Sequence, residues 1–155
     1  MRNNAEEIPE VINNIRRVYQ AITEYMKNAE KITGLTGPQL LAVKLLANTA
    51  HLRVSELARQ MILHPATVVG ILDRLETKGM VTRTRSIEDR RVVEIELTDL
   101  GKEVVAKAPE IATVMLVEGL ERLPDTEFYQ IAESMKRVVL ILGAEKITPQ
   151  PLQSA

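Results

Sequence analysis

VSELARQMILHPATVVGILDRLETKGMVTRTRSIEDRRVVEIELT, residues 54–98, is the stretch whose reading decides the fold of this chain. Its opening residues bring Leu57, Ala58 and Met61 onto one face of a short helix, residues 54–61. Ile62 and Leu63 connect to His64-Pro65, which opens a second helix with proline where no intrahelical hydrogen bond is lost. Val68, Ile71, Leu72 and Leu75 then recur at helical spacing and form an inward stripe. Lys78-Gly79 closes this helix: a cation at the negative end of the dipole, then a residue free to take the left-handed cap. From Met80 the period changes to two. Val81, Arg83 and Arg85 interleave with Thr82, Thr84 and Ser86; further on, Val93, Ile95 and Leu97 alternate with Glu94, Glu96 and Thr98. The connection Ile87-Glu88-Asp89-Arg90-Arg91 is short enough to make the two runs an antiparallel hairpin.

A helix pair followed by a hairpin is the plan of a winged helix, in which the second helix enters the DNA major groove and the wing lies beside it. Charge agrees locally: residues 53–91 carry eight Lys/Arg against five acids, whereas the whole chain is −1. Phosphate attraction depends on where charge sits, so mild overall acidity is no objection. A small α+β module with a solvated basic face would show the same periodicity and charge.

Outside this lobe the chain reads as helical. Residues 6–31 carry Ile8, Val11, Ile12, Ile15, Val18, Tyr19, Ile22 and Met26 at helical offsets, and Pro9 is tolerated if it lies in the first turn. Thr36-Gly37-Pro38-Gln39 has the form of a capping box for a helix running to about Asn48. That helix is apolar nearly all round, which predicts a central position. Thr98 is placed to cap a helix from Asp99 that continues to Leu120, with Pro109 expected to bend it; two shorter helices are the alternative. Leu123-Pro124-Asp125 breaks the chain before a last helix through Leu142, closed by Gly143, and the tail beyond Thr148 reads as loose.

The fold class expected is mainly α with a small β-hairpin wing. Residues 1–33 form an N-terminal dimerisation helix and 34–98 the winged lobe. Residues 99–148 form C-terminal dimerisation helices and 149–155 a flexible tail. The dimer follows from burial: the terminal helices carry apolar stripes too long for so small a core, and a second copy is the simplest cover. A self-contained helical bundle is the alternative.

Composition bounds the rest. At 155 residues, 45% hydrophobic and 26% charged, the chain has the balance of one globular protomer. No apolar run approaches bilayer length, and the polar, acidic N-terminus is unlike a signal peptide, which points to the cytoplasm. With no cysteine and only His51 and His64, thiolate and histidine-rich metal sites are not expected, nor is any cofactor. No Gly-rich phosphate loop, nucleophile elbow or HExxH is present, so no enzyme is indicated.

VSELARQM, PATVVGILDRLETKGMV, the tip DRR and the closing LTDLG, in this order and spacing, resemble the MarR family of regulators. The resemblance implies a homodimeric transcription regulator, of repressor type, on a pseudo-palindromic double-stranded DNA operator. It also implies an affinity modulated by a small aromatic or phenolic effector. A winged-helix protein-interaction module without specific DNA binding is the alternative.

On the second helix His64, Ala66, Thr67, Val69 and Gly70 face outward near the N-terminus. Thr67 is able to bond a base or a phosphate, and Ala66 or Val69 to touch a thymine methyl. Gly70 stands where relatives frequently carry a polar or basic residue, which suggests close backbone approach or weaker direct readout. His64 reads as helix cap or phosphate contact. Arg74, by its counterpart in the family, reads as a phosphate contact, with a surface salt bridge as the plain alternative. At the tip, the resemblance makes Arg91 the residue that enters the minor groove, Asp89 its positioner and Arg90 a phosphate contact. Arg83 and Arg85 are able to add backbone contacts. For an effector, where dimer helices meet the lobe in the family, Arg16, Arg17, Tyr19, Tyr25 and His51 are the candidates; each also reads as packing or surface.

Overall fold

The computed structural model describes residues 4–152. Residues 1–3 of the expected N-terminal helix segment and 153–155 of the expected tail lie outside the described residues. The elements run α1 (Asn4–Thr33), α2 (Gly37–Ala47), β1 (Leu52–Arg53), α3 (Val54–Met61), α4 (Pro65–Thr77), β2 (Val81–Arg85), β3 (Val93–Leu97), α5 (Asp99–Lys107), α6 (Ala112–Glu121) and α7 (Asp125–Ile141). No helix among the described residues is long and apolar enough to cross a membrane.

The capping box forms as its residues require: Gln39 N–H donates to Thr36 Oγ1 (3.4 Å) and Thr36 N–H donates to Gln39 Oε1 (3.2 Å). It launches α2 through the middle of the lobe, where Leu40, Ala42 and Val43 are wholly buried. Around it close Leu57 of α3, Val68, Leu72 and Leu75 of α4, and Ile95 of β3. The stripes read from 54–98 are therefore the lobe's core.

Three expectations need correction. Helix α1 begins at Asn4, which moves Pro9 from the first turn into the second. Proline lacks an N–H, so the Ala5 carbonyl loses its helical donor; Ala5 is exposed, and water can take its place. The hairpin is part of a three-stranded antiparallel sheet of order β1-β3-β2, with Leu52 opposite Ile95 and Arg53 opposite Glu94. The helix expected to bend at Pro109 is instead two helices, α5 and α6. Ala108 before the proline is extended (φ −72°, ψ 138°), as the proline ring demands, and Lys44 Nζ donates to the Pro109 carbonyl at 2.5 Å. In the connection between α3 and α4, Ile62 takes the left-handed conformation (φ 57°), a strained setting for a β-branched residue.

The terminal helices behave differently from the lobe. Helix α1 buries only Met26 and Ala29, and α7 buries none of its residues. Ile8, Val11, Ile12, Ile15, Val18 and Tyr19 of α1 lie exposed, as do Phe128, Ile131, Met135 and Val139 of α7.

Candidate nucleic-acid interface

Helix α4 is pinned at both ends. At its start His64 is the N-cap, its Nδ1 accepting the Ala66 N–H at 3.2 Å, which is the cap reading of that residue. At its end Gly79 (φ +73°) and Met80 turn back, Met80 N–H donating to the Leu75 carbonyl at 2.9 Å. Lys78 then reaches across to the Gly34 carbonyl (2.8 Å) and Gln39 Oε1 (3.1 Å). That clamp, which ties α4 to the turn before α2, was not legible in the sequence, because its partners lie about forty residues away.

With Val68, Ile71, Leu72 and Leu75 turned inward, helical periodicity turns Ala66, Val69, Gly70 and Arg74 outward, and Thr67 lies half-buried on the flank. A Cβ added at Gly70 would meet nothing within 4 Å. No packing requirement inside the protomer explains this glycine. The Arg74 side chain makes no hydrogen bond or ion pair with any described residue, so the salt bridge offered as its plain reading is not formed.

Arg83 is placed differently from the sequence reading. The register pairs Val81, Arg83 and Arg85 with Leu97, Ile95 and Val93, so Arg83 shares a sheet face with the buried Val81 and Ile95. Its guanidinium pairs with Asp73 in a short contact and with Glu76 at 3.2 Å, and its side chain is only 23% exposed. Its Nε is buried without a partner. This arginine struts the wing against α4 and offsets part of the negative charge of two carboxylates on that helix. It is not free to reach a phosphate.

The wing tip is closed by Ser86 N–H to the Val92 carbonyl and Val92 N–H to the Asp89 carbonyl, both at 2.9 Å. Asp89 Oδ1 accepts the Arg91 backbone N–H (3.0 Å) and lies 3.4 Å from Arg91 Nε. The carboxylate thus orders the backbone of the tip and stands beside a guanidinium whose side chain is 93% exposed. The side chains of Arg85 and Arg90 are exposed and make no hydrogen bond or ion pair with described residues.

The effector candidates are not brought together within the protomer. Arg16 bonds Asn13, and Arg17 bonds Glu10 and Asn14, all on the exposed surface of α1, where Tyr19 also lies. Tyr25 lines an apolar cleft of about 290 Å³ between α1 and α6, with Ile22, Ala112, Met115 and Leu116. His51 lines another, of about 550 Å³, beside Glu96 and Lys102, and its Nδ1 lies 2.6 Å from Glu96 and 3.7 Å from Glu94.

The chain is similar to known proteins in sequence and in fold. The model of the MarR family matches residues 35–93. The chain is 33% identical over 114 residues to the HTH-type transcriptional regulator YfiV of Bacillus subtilis, covering 74% of this chain and 68% of that protein. It is 36% identical over 87 residues to the HTH-type transcriptional repressor MdtR of the same organism; the match spans little more than half of either chain, 56%. Among solved structures, a MepR-like protein complexed with pseudoligands superposes with a TM-score of 0.57 at 27% identity, over 91% of this chain and 98% of that one.

Proposed function

The chain belongs to the MarR family, and from that premise we propose that it is a homodimeric, sequence-specific DNA-binding repressor whose affinity a small ligand modulates. It is a transcription regulator, not an enzyme. One observation supports the DNA reading most directly. Among the described residues the side chains of Arg74, Arg85 and Arg90 have no ion-pair partner and Arg91 pairs with the neighbouring Asp89, while the two α4 acids Asp73 and Glu76 share the charge of Arg83. The lobe spends its internal ion pairs on cancelling acids and leaves cations for phosphate.

In this reading Ala66, Thr67, Val69 and Gly70 face base edges in the major groove, with His64 and Arg74 at the backbone beside them. The wing follows the adjoining minor groove, with Arg91 inserted and Arg85 and Arg90 on phosphate. The N-terminal helix and the helices after the wing join two copies. Their exposed apolar stripes support this, since contiguous patches of that length mark an interface and a two-fold axis matches them to themselves. The operator is then a pseudo-palindrome read by two matched lobes.

The effector, of small aromatic or phenolic type, sits where dimer helices meet the lobe. Among the candidate residues Tyr25 has the setting that best supports this role, an apolar cleft with one hydroxyl. By preferring one separation of the two lobes it shifts the equilibrium in proportion to its differential affinity.

The test is binding to DNA upstream of the protein's own gene and to genome-selected fragments, across a salt series, with Arg91→Ala alongside. Tight, steeply salt-dependent binding of one dimer per site, weakened in the variant, is expected. Binding no tighter than to random duplex on every fragment would refute the reading.

A further inference from the structure

The last described residues occupy ground that DNA docking needs. Past the Gly143 turn (φ +63°), the Ile147 N–H bonds the Ala144 carbonyl at 3.0 Å, and the chain returns to the start of α2. There the Leu152 carbonyl would stand 3.5 Å from a Cβ on Gly37, and Gln150, Pro151 and Leu152 line a cleft with Met26, Pro38 and Met61. Toward α4, Gln150 and Pro151 share a second cleft, of about 180 Å³, with Gln39, Thr67, Gly70 and Arg74. Three of those residues are on the face of α4 assigned above to DNA.

We infer that residues 148–152 form an autoinhibitory strap, which flanks the recognition helix in the free protein and must leave when DNA docks. The inference rests on the DNA reading. A phosphate bonded to Arg74 or Thr67 approaches to about 3 Å, and the surrounding sugar-phosphate chain needs the space beside these residues that Gln150 and Pro151 now border. The strap suits reversible seating. Pro149 and Pro151 hold it extended and lack N–H groups that would need partners, so little entropy is lost when it seats. No backbone or side-chain hydrogen bond fastens 148–152 to the described residues, and Leu152 is still 49% exposed. Contacts of this kind are weak enough to yield to a polyanion.

Three chains decide it: the full chain, a chain ending at Ile147, and the full-length Pro151→Gly/Leu152→Ser variant. Each is titrated with a labelled random-sequence duplex of about 30 base pairs at about 50 mM salt, where backbone attraction dominates and no operator need be known. The two altered chains are expected to bind roughly tenfold more tightly, a difference of about 1.4 kcal/mol. In addition, Gln150→Cys gives this cysteine-free chain a single site for a fluorophore, whose anisotropy is expected to fall as duplex is added. Equal affinities in the three chains, tighter binding by the parent, or an unmoved anisotropy would overturn the strap while leaving the DNA reading standing. Absence of binding by all three would overturn both.

Discussion

Two helical glycines should respond to alanine with opposite sign. Gly101 lies in the first turn of α5, and a Cβ there would stand 2.3 Å from the Met80 carbonyl oxygen and 3.1 Å from Leu97 Cδ2. An ordinary carbon–oxygen contact is about 1 Å longer, so backbone must move. The Met80 carbonyl accepts the Thr98 N–H at 3.0 Å, and Thr98 Oγ1 in turn accepts the Gly101 N–H at 3.1 Å and donates to the Gly79 carbonyl at 2.6 Å. The clash therefore falls on the crossing that joins the end of α4 to the start of α5, with no flexible side chain to absorb it. Overpacking of this kind costs about 3 kcal/mol at the upper end of its usual range, offset by about 1 kcal/mol of better helix propensity. The net loss of about 2 kcal/mol lowers Tm by roughly 4–8 °C in a chain of this size. Gly70→Ala meets open space on an exposed helix face and should raise Tm by about 2–4 °C. Thermal unfolding by circular dichroism, at one fixed protomer concentration because assembly shifts Tm, measures both. A Gly101→Ala protein as stable as the parent would refute the close crossing, and a destabilised Gly70→Ala protein would refute the free face.

Thr98→Ala removes a cap and orphans the Gly79 carbonyl, and is expected to cost about 1–2 kcal/mol in urea unfolding. Ile62→Gly should stabilise by about 0.5–1 kcal/mol, because the left-handed setting costs an isoleucine more than glycine loses in chain entropy; an unchanged midpoint would count against that strain. Arg83→Ala is expected to weaken DNA binding by leaving Asp73 and Glu76 uncompensated on α4, and Asp73→Asn/Glu76→Gln in the same chain should restore it; failure of the rescue would return Arg83 to the contact list. Ile12→Glu with Ile15→Glu on α1 should shift sedimentation from dimer to monomer, since paired like charges at a two-fold interface repel. A Glu133 carboxyl hydrogen-bonded to Lys136 at 2.7 Å is held below the usual glutamate range, so its small contribution to stability is present above the unfolded-state value and lost as pH falls through the folded one. Lys136→Met should raise its NMR titration midpoint.

Much of the lobe was legible because its signals are local. The 54–98 stripes, the Thr36/Gln39 box and the Lys78-Gly79 stop each place cause and effect within one or two turns. Strand β1 was not, since two residues cannot display alternation and their partner β3 lies some forty positions on. Pro109 signalled a disturbance in advance. That the chain breaks there, with Ala108 extended and the Pro109 carbonyl met by the Lys44 ammonium of another helix, was visible only in the fold.

The same division runs through the candidate site. Sequence by itself determined which residues of α4 would turn inward and which outward, that His64 could cap it and that Asp89 stands two residues from Arg91, because periodicity and short covalent spacing leave little freedom. It could not sort the arginines, which look alike in a list. Only the tertiary structure decided that Arg83 is consumed by Asp73 and Glu76 while the side chains of Arg74, Arg85 and Arg90 have no partner among the described residues, and that Gln150 and Pro151 lie beside Thr67 and Arg74. Whether a charge is free depends on what the fold carries into its reach from distant positions, and Coulomb attraction falls with distance in space, not in sequence.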